Sequence, residues 1–129
     1  GFPAADGWYA TVACPHMMDD AELQPWVERF VAKSGRQPSD YSITAYDAVL
    51  VVIDAIERVA RSGKPVDRAN VRDAIAATKL KTMQGEVTFD DNGDLKQRVI
   101  AVFQVKHDAT HPADDLIHQY KYVGVAPQV

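Results

Sequence analysis

The chain is short of cysteine, of positive charge and of long apolar runs. Cys14 is the only cysteine in 129 residues, so no internal disulfide can form and the redox compartment is left open. It lies in the apolar stretch "TVACP" with only His16 close by, the setting of a buried small hydrophobe and not of an activated thiol. Lys and Arg number 14 against 18 Asp and Glu, a formal net charge of −4 that argues against a nucleic-acid partner, whose binders carry a basic footprint. No apolar stretch reaches the roughly 20 residues that span a bilayer. The opening "GFPAADGWYA" lacks the charged-then-apolar order of a signal peptide, so an exported form would already have lost its signal. Repeats and low-complexity tracts are absent, and 47% hydrophobic with 25% charged residues is ordinary globular composition for one domain.

Oxygen-bearing side chains are plentiful in one place, "FDDNGDLKQ" at 89–97. An EF-hand loop requires oxygen ligands at alternate positions, a glycine sixth and a glutamate twelfth. Asp90, Asn92 and Asp94 satisfy the first three positions, but Leu95 and Ala101 occupy the glycine and glutamate positions. The cation template fails twice. Asn92-Gly93 is instead the dipeptide of a tight hairpin turn, between the alternating "GEVTF" and the apolar "VIAVF".

The pattern along the rest of the chain predicts a short strand at 7–15 closed by Pro15, then a helix with Leu23, Val27, Phe30 and Val31 on one stripe and Gly35 as its stop. A polar connection, "RQPSD", leads to a long helix at 41–63 capped by Ser39 or Asp40. Its apolar stripe is read as Ile43, Tyr46, Val49, Leu50, Ile53, Ile56 and Ala60, widened by Ala48, Val52, Ala55 and Val59. The polar strip is read as Asp47, Asp54, Arg58 and Arg61, with Asp54–Arg58 and Glu57–Arg61 at i, i+4 spacing. Such a helix is built for burial on more than one side, with Val49 and Ile53 expected at its centre. A third helix at 67–79 follows, then the hairpin, a strand at 98–106 expected to be buried on both faces, the charged loop "HDATHPADD" at 107–115 and a last strand at 116–125. The helices are many for the strands they have to cover, which points to an incomplete domain.

In this order, "AADGWYATVA", "FVAKSGRQPSDYSITAYDAVLVVIDAIERV" and "VRDAIAATKLKTMQGEVTFDDNGDLKQRVIAVFQVK" resemble the C-terminal part of type I periplasmic solute-binding proteins, the branched-chain amino-acid-binding components of ABC transporters. The resemblance runs from Ala4 to about Lys106, and its most specific pieces are "YSITAYDA" and "QGEVTFDDNGDLK". It implies an α/β fold, part of a two-lobed protein with parallel sheets flanked by helices and a ligand held between the lobes. Residues 1–37 would then be a C-terminal-lobe segment, 38–96 an N-terminal-lobe segment and 97–129 a return to the C-terminal lobe. The solute would be a small amino acid or an organic or aromatic acid, the partner an ABC permease in the membrane, and the location the periplasm.

The same resemblance maps three ligand-binding residues. Asp6 stands where amino-acid-binding members carry the acid that pairs with the ligand ammonium, while its alternative role is to cap an exposed turn. Trp8 and Tyr41 map near the ligand cleft and the hinge, and plain packing is the alternative for both. No nucleophile–base pair, phosphate loop or metal cluster is legible, so no enzyme, cofactor or metal site is expected. His107, His111, Asp108, Asp114 and Asp115 make the loop at 107–115 a rival metal site, but the favoured reading is a solvated loop. Two other readings remain open: a ligand-sensing regulator of the same fold, and a small metal-dependent enzyme using that loop. With strand edges and a two-sided apolar helix left uncovered, the chain alone is expected to self-associate or to pair with the segment it lacks.

Overall fold

The structure is a computed structural model that describes residues 4–127. It divides into two units, Gly1–His16 with Val99–Val129 and Met17–Arg98. The resemblance implies lobe segments that change after residues 37 and 96; the two units of the structure meet after His16 and Arg98.

In the Met17–Arg98 unit a 3-10 turn, Ala21–Leu23, leads into α1, Gln24–Ser34, with Pro25 in the first turn where its missing N–H costs nothing. Gly35 ends α1 at φ 69°, its N–H on the Val31 carbonyl at 2.8 Å. The long helix is α2, Asp40–Arg61, entered from Ser39, whose N–H donates to Ser42 Oγ at 3.1 Å. Met17, Leu23, Trp26 and Ile43 form one buried cluster, so α1 shares its core with α2. Asp40 reinforces the join by accepting the Met17 N–H at 2.9 Å.

The buried face of α2 differs from the expected one. Ile43, Asp47, Val51, Ala55 and Val59 are buried, an i, i+4 row. Tyr46, Val49, Val52, Ile53 and Ile56 are exposed, Ile53 at 48%. Both faces are apolar in sequence, and only the Ile43–Val59 row is buried; on the other face Tyr46 meets the edge of Trp26 at 5.7 Å between centroids. The polar strip is corrected as well. Asp54 and Arg58 pair at 2.7 Å and Glu57 and Arg61 at 2.5 Å, as their spacing suggests, but Asp47 is only 2% exposed. Its carboxylate accepts Gln84 N–H at 3.0 Å, Gln84 Nε2 at 3.1 Å and Met83 N–H at 3.4 Å.

The third helix, α3, is Arg68–Ala76, started by Asp67, whose Oδ1 accepts the Asn70 N–H at 2.9 Å. Arg58 ties α2 to its far end through the Ala74 carbonyl at 2.8 Å and Thr78 Oγ1 at 3.2 Å. The hairpin is not the expected one. Strand β2, Lys79–Thr82, pairs with β3, Gly85–Thr88, across the Met83–Gln84 turn, placing Leu80 opposite Val87 and Lys81 opposite Glu86. Asn92-Gly93 does form a turn, with Gly93 at φ 85°, but only a single bridge, Phe89–Leu95, flanks it. Asp90 Oδ1 accepts the N–H groups of Asn92 and Asp94 at 2.9 and 3.0 Å. The Asp94 N–H, with Asn92 and Arg98 adding to it against some desolvation, holds the Asp90 carboxyl below its ordinary range. That carboxylate serves its own turn.

In the other unit, β1 is Tyr9–Val12, β4 is Ala101–Val105 and β5 is Tyr120–Val125, forming an antiparallel sheet in the order β1-β4-β5. Central β4 has Ala101 and Val105 buried and its middle residues half-buried. Cys14 is buried. The ring of His16 lies against Phe103 at 5.1 Å and Tyr122 at 4.6 Å between centroids. The expected strand start at 116 is instead a short helix, α4, Leu116–Gln119, started by Asp115. All strand pairings among the described residues are antiparallel, so these five strands do not themselves form the parallel sheets that the resemblance implies.

Candidate ligand-binding site

The turn that carries Asp6 is fixed by backbone bonds. Trp8 N–H closes it on the Ala5 carbonyl at 3.1 Å. Gly7 lies at φ 82°, a conformation that a side chain disfavours, which accounts for glycine directly after the acid. The chain then joins β4: Gly7 N–H donates to the Val105 carbonyl at 2.9 Å, and Val105 N–H to the Trp8 carbonyl at 2.8 Å. Gln104 Nε2 adds a bond to the Gly7 carbonyl at 3.3 Å. The exposed Asp6 side chain reaches the far end of the same strand, where Oδ1 accepts the His107 N–H at 2.7 Å. The length is that of a charge-assisted bond. It engages one of the two carboxylate oxygens.

Trp8, two residues on, is 69% exposed, and Tyr41, in the first turn of α2, is 57% exposed. Asp6 and Trp8 therefore share one turn, while Tyr41 belongs to the other unit. Trp8 and Tyr41 offer aromatic surface to solvent.

The loop at 107–115 is more ordered than a solvated loop has to be. Asp108 Oδ2 and His111 Nδ1 are 2.8 Å apart, as are Asp115 Oδ2 and His118 Nδ1. The two imidazole rings stack at 3.6 Å, parallel to within 2°. Lone pairs in parallel ring planes do not converge on one ion, and among the described residues no three His, Cys, Asp or Glu are grouped to hold a metal. Gln119, fully buried behind the loop, holds its backbone; nothing in the local pattern marked this residue, because its partners lie seven to 11 positions away.

These bonds have a pH signature. The hydroxyl and N–H of Thr110, with His111, hold the Asp108 carboxyl well below its ordinary range. The bond from His118 also lowers the Asp115 carboxyl, partly opposed by desolvation. A carboxyl depressed in the folded state contributes stability above its unfolded value of about 3.9 and loses it as pH falls further. The loop is expected to keep its bonds above about pH 4 and to loosen progressively below. Hydrogen-exchange protection at Thr110 and His118, whose N–H groups lie on these carboxylates, should drop over that acid range; constant protection would contradict the assignment.

The structure matches part of the fold of solved solute-binding proteins, and that defines its class. The chain belongs to the periplasmic binding protein family, whose model matches residues 1–111. It is 30% identical over 108 residues to the leucine-, isoleucine-, valine-, threonine- and alanine-binding protein of Pseudomonas aeruginosa, covering 83% of this chain and 27% of that protein. Among solved structures it resembles the leucine binding protein LivK of Thermotoga maritima, with a TM-score of 0.67, 25% identity, and coverage of 97% of this chain and 32% of that one. A solute binding protein of R. palustris in complex with benzoate shares the fold at a TM-score of 0.63 and 19% identity, over 96% of this chain and 31% of its own. The chain thus spans about a third of the length of the relatives it matches.

Proposed function

We propose that this chain is the C-terminal part of an extracytoplasmic solute-binding protein that captures a small amino-acid-like or carboxylate solute and presents it to an ABC permease in the membrane. The observation that carries the reading is the family match over residues 1–111. We assign Gly1–His16 with Val99–Val129 to the C-terminal lobe and Met17–Arg98 to the N-terminal lobe, a boundary supported by the core that α1 shares with α2. Capture in such a protein proceeds by closure of the lobes around the solute. The relatives are named as binding proteins, and no catalytic role is assigned to any residue here.

Within the site, Asp6 is assigned to the ligand ammonium, with Trp8 and Tyr41 as apolar contacts. One Asp6 oxygen is anchored on the His107 N–H, and the other is assigned to the ligand. A carboxylate held by one fixed bond meets a cation without first losing its own rotational freedom. Leucine and benzoate, which relatives are named with, are suitable probes because only leucine bears an amine.

Asp6→Asn tests the assignment cleanly, since the amide oxygen can still accept the His107 N–H while the charge is gone. In the full-length protein carrying this chain, calorimetry is expected to show leucine bound about 1–3 kcal/mol more weakly, the scale of a charged hydrogen bond. That is roughly 5- to 150-fold in Kd. Benzoate affinity should not fall. Unchanged leucine affinity in Asp6→Asn would remove Asp6 from the site and turn the solute towards organic or aromatic acids.

A further inference from the structure

We infer that Gln119 is the positioning residue for Asp6, setting the direction of its carboxylate through the backbone of His107. The inference rests on the reading of Asp6 as a ligand contact. His107 supplies the N–H that holds Asp6 Oδ1 at 2.7 Å, so wherever that N–H points the carboxylate follows. The residues on either side of His107 are both held by Gln119. Its backbone carbonyl accepts the Lys106 N–H at 2.9 Å. Its side chain brackets Asp108: Oε1 accepts the Asp108 N–H at 3.0 Å and Nε2 donates to the Asp108 carbonyl at 2.8 Å. Nε2 lies within reach of two further carbonyls, those of His111 and Pro112, both at 3.2 Å.

A buried position asks for an apolar residue unless every polar atom finds a partner. Gln119 is fully buried, and both ends of its amide are engaged. An aliphatic side chain of the same length would fill the space but leave the Asp108 N–H and three carbonyls without this partner. The ring of His111, whose carbonyl Nε2 reaches, stacks on that of His118, the residue just before Gln119. His107 lies between two residues that Gln119 holds. Gln119 thus acts on the ligand at second hand, without touching it.

The test is a double-mutant cycle in the full-length protein, with leucine as the probe. Gln119→Met keeps the volume and removes the amide. It is expected to weaken leucine about five-fold or more when Asp6 is present and to add nothing further in the Asp6→Asn background. In ligand-free protein, the amide proton signal of His107 should move upfield in Gln119→Met, in the direction that Asp6→Asn moves it. Where Gln119→Met does not fold, Gln119→Asn, which keeps the amide but withdraws it by one methylene, is read the same way. A leucine loss in Gln119→Met that adds in full to that of Asp6→Asn marks a general structural role and overturns the inference, as does an unchanged His107 signal. Unchanged leucine affinity in Asp6→Asn alone overturns the ligand-site reading beneath it, and the two failures are told apart by that single variant.

Discussion

Val51→Asp is expected to unfold the Met17–Arg98 unit, while Ile53→Asp, two residues along the same helix, leaves it folded. Val51 is buried in the row Ile43, Asp47, Val51, Ala55 and Val59, so a carboxylate there enters an apolar surround with no cation assigned to it. Burying an unpaired charge costs several kcal/mol, a large share of the roughly 5–15 kcal/mol that holds a domain together. Ile53 faces outward with Tyr46, Val49, Val52 and Ile56, and an aspartate there stays hydrated. The exposed row is also the surface by which the isolated chain is proposed to self-associate or to pair with the rest of the longer protein. Thermal melts and light scattering on the isolated chain decide both points. Cooperative melting is expected to vanish in Val51→Asp and to persist in Ile53→Asp, with the apparent mass falling in the latter. A compact monomer before any substitution would refute the association. A cooperative melt for Val51→Asp would refute the packing.

What could be read in the sequence was local, and what could not was held by distant partners. The turn at 90–94 was legible because Asp90, Asn92 and Gly93 supply both the bonds and the positive φ within five residues. Its role as the centre of a hairpin was not. "KLKT" is short and half lysine, it follows directly on a helical pattern, and the pairing of Leu80 with Val87 takes "GEVT" away from "VIAVF". The helix at α2 was legible in extent but not in orientation, since two apolar faces compete and composition does not tell which one a partial chain can cover. Asp6 was placed by its turn and by resemblance. Its bond to His107 spans 101 residues and leaves no mark in any local pattern. Gln119 was invisible for the same reason: a lone glutamine inside the strand expected at 116–125 looks like surface.

Asp47→Ala is expected to cost the Met17–Arg98 unit about 2–4 kcal/mol, although a lone aspartate on a helix reads as solvated surface. The carboxylate is buried at mid-helix and receives three N–H groups from the turn joining β2 to β3, 36 and 37 residues away. That turn is otherwise a two-residue connection whose N–H groups point at α2. Residues 83 and 84 are also half-buried, and Met83 packs against the Met17–Ile43 cluster. Removing the carboxylate leaves donors facing an apolar helix, at about 1–3 kcal/mol for each that water cannot reach. Asp47→Asn separates charge from geometry. Its single amide oxygen can serve one N–H of the turn, while its own NH2 group opposes another, so a smaller loss of about 1–2 kcal/mol is expected. Chemical denaturation gives both values, and the midpoint should move with little change in slope, because the surface exposed on unfolding is nearly the same. The order Ala worse than Asn worse than wild type marks Asp47 as the pin between α2 and the β2–β3 hairpin. Equal stability for wild type and Asp47→Ala would mean that the turn is held by packing alone, with Met83 and Ile43 in place of the carboxylate.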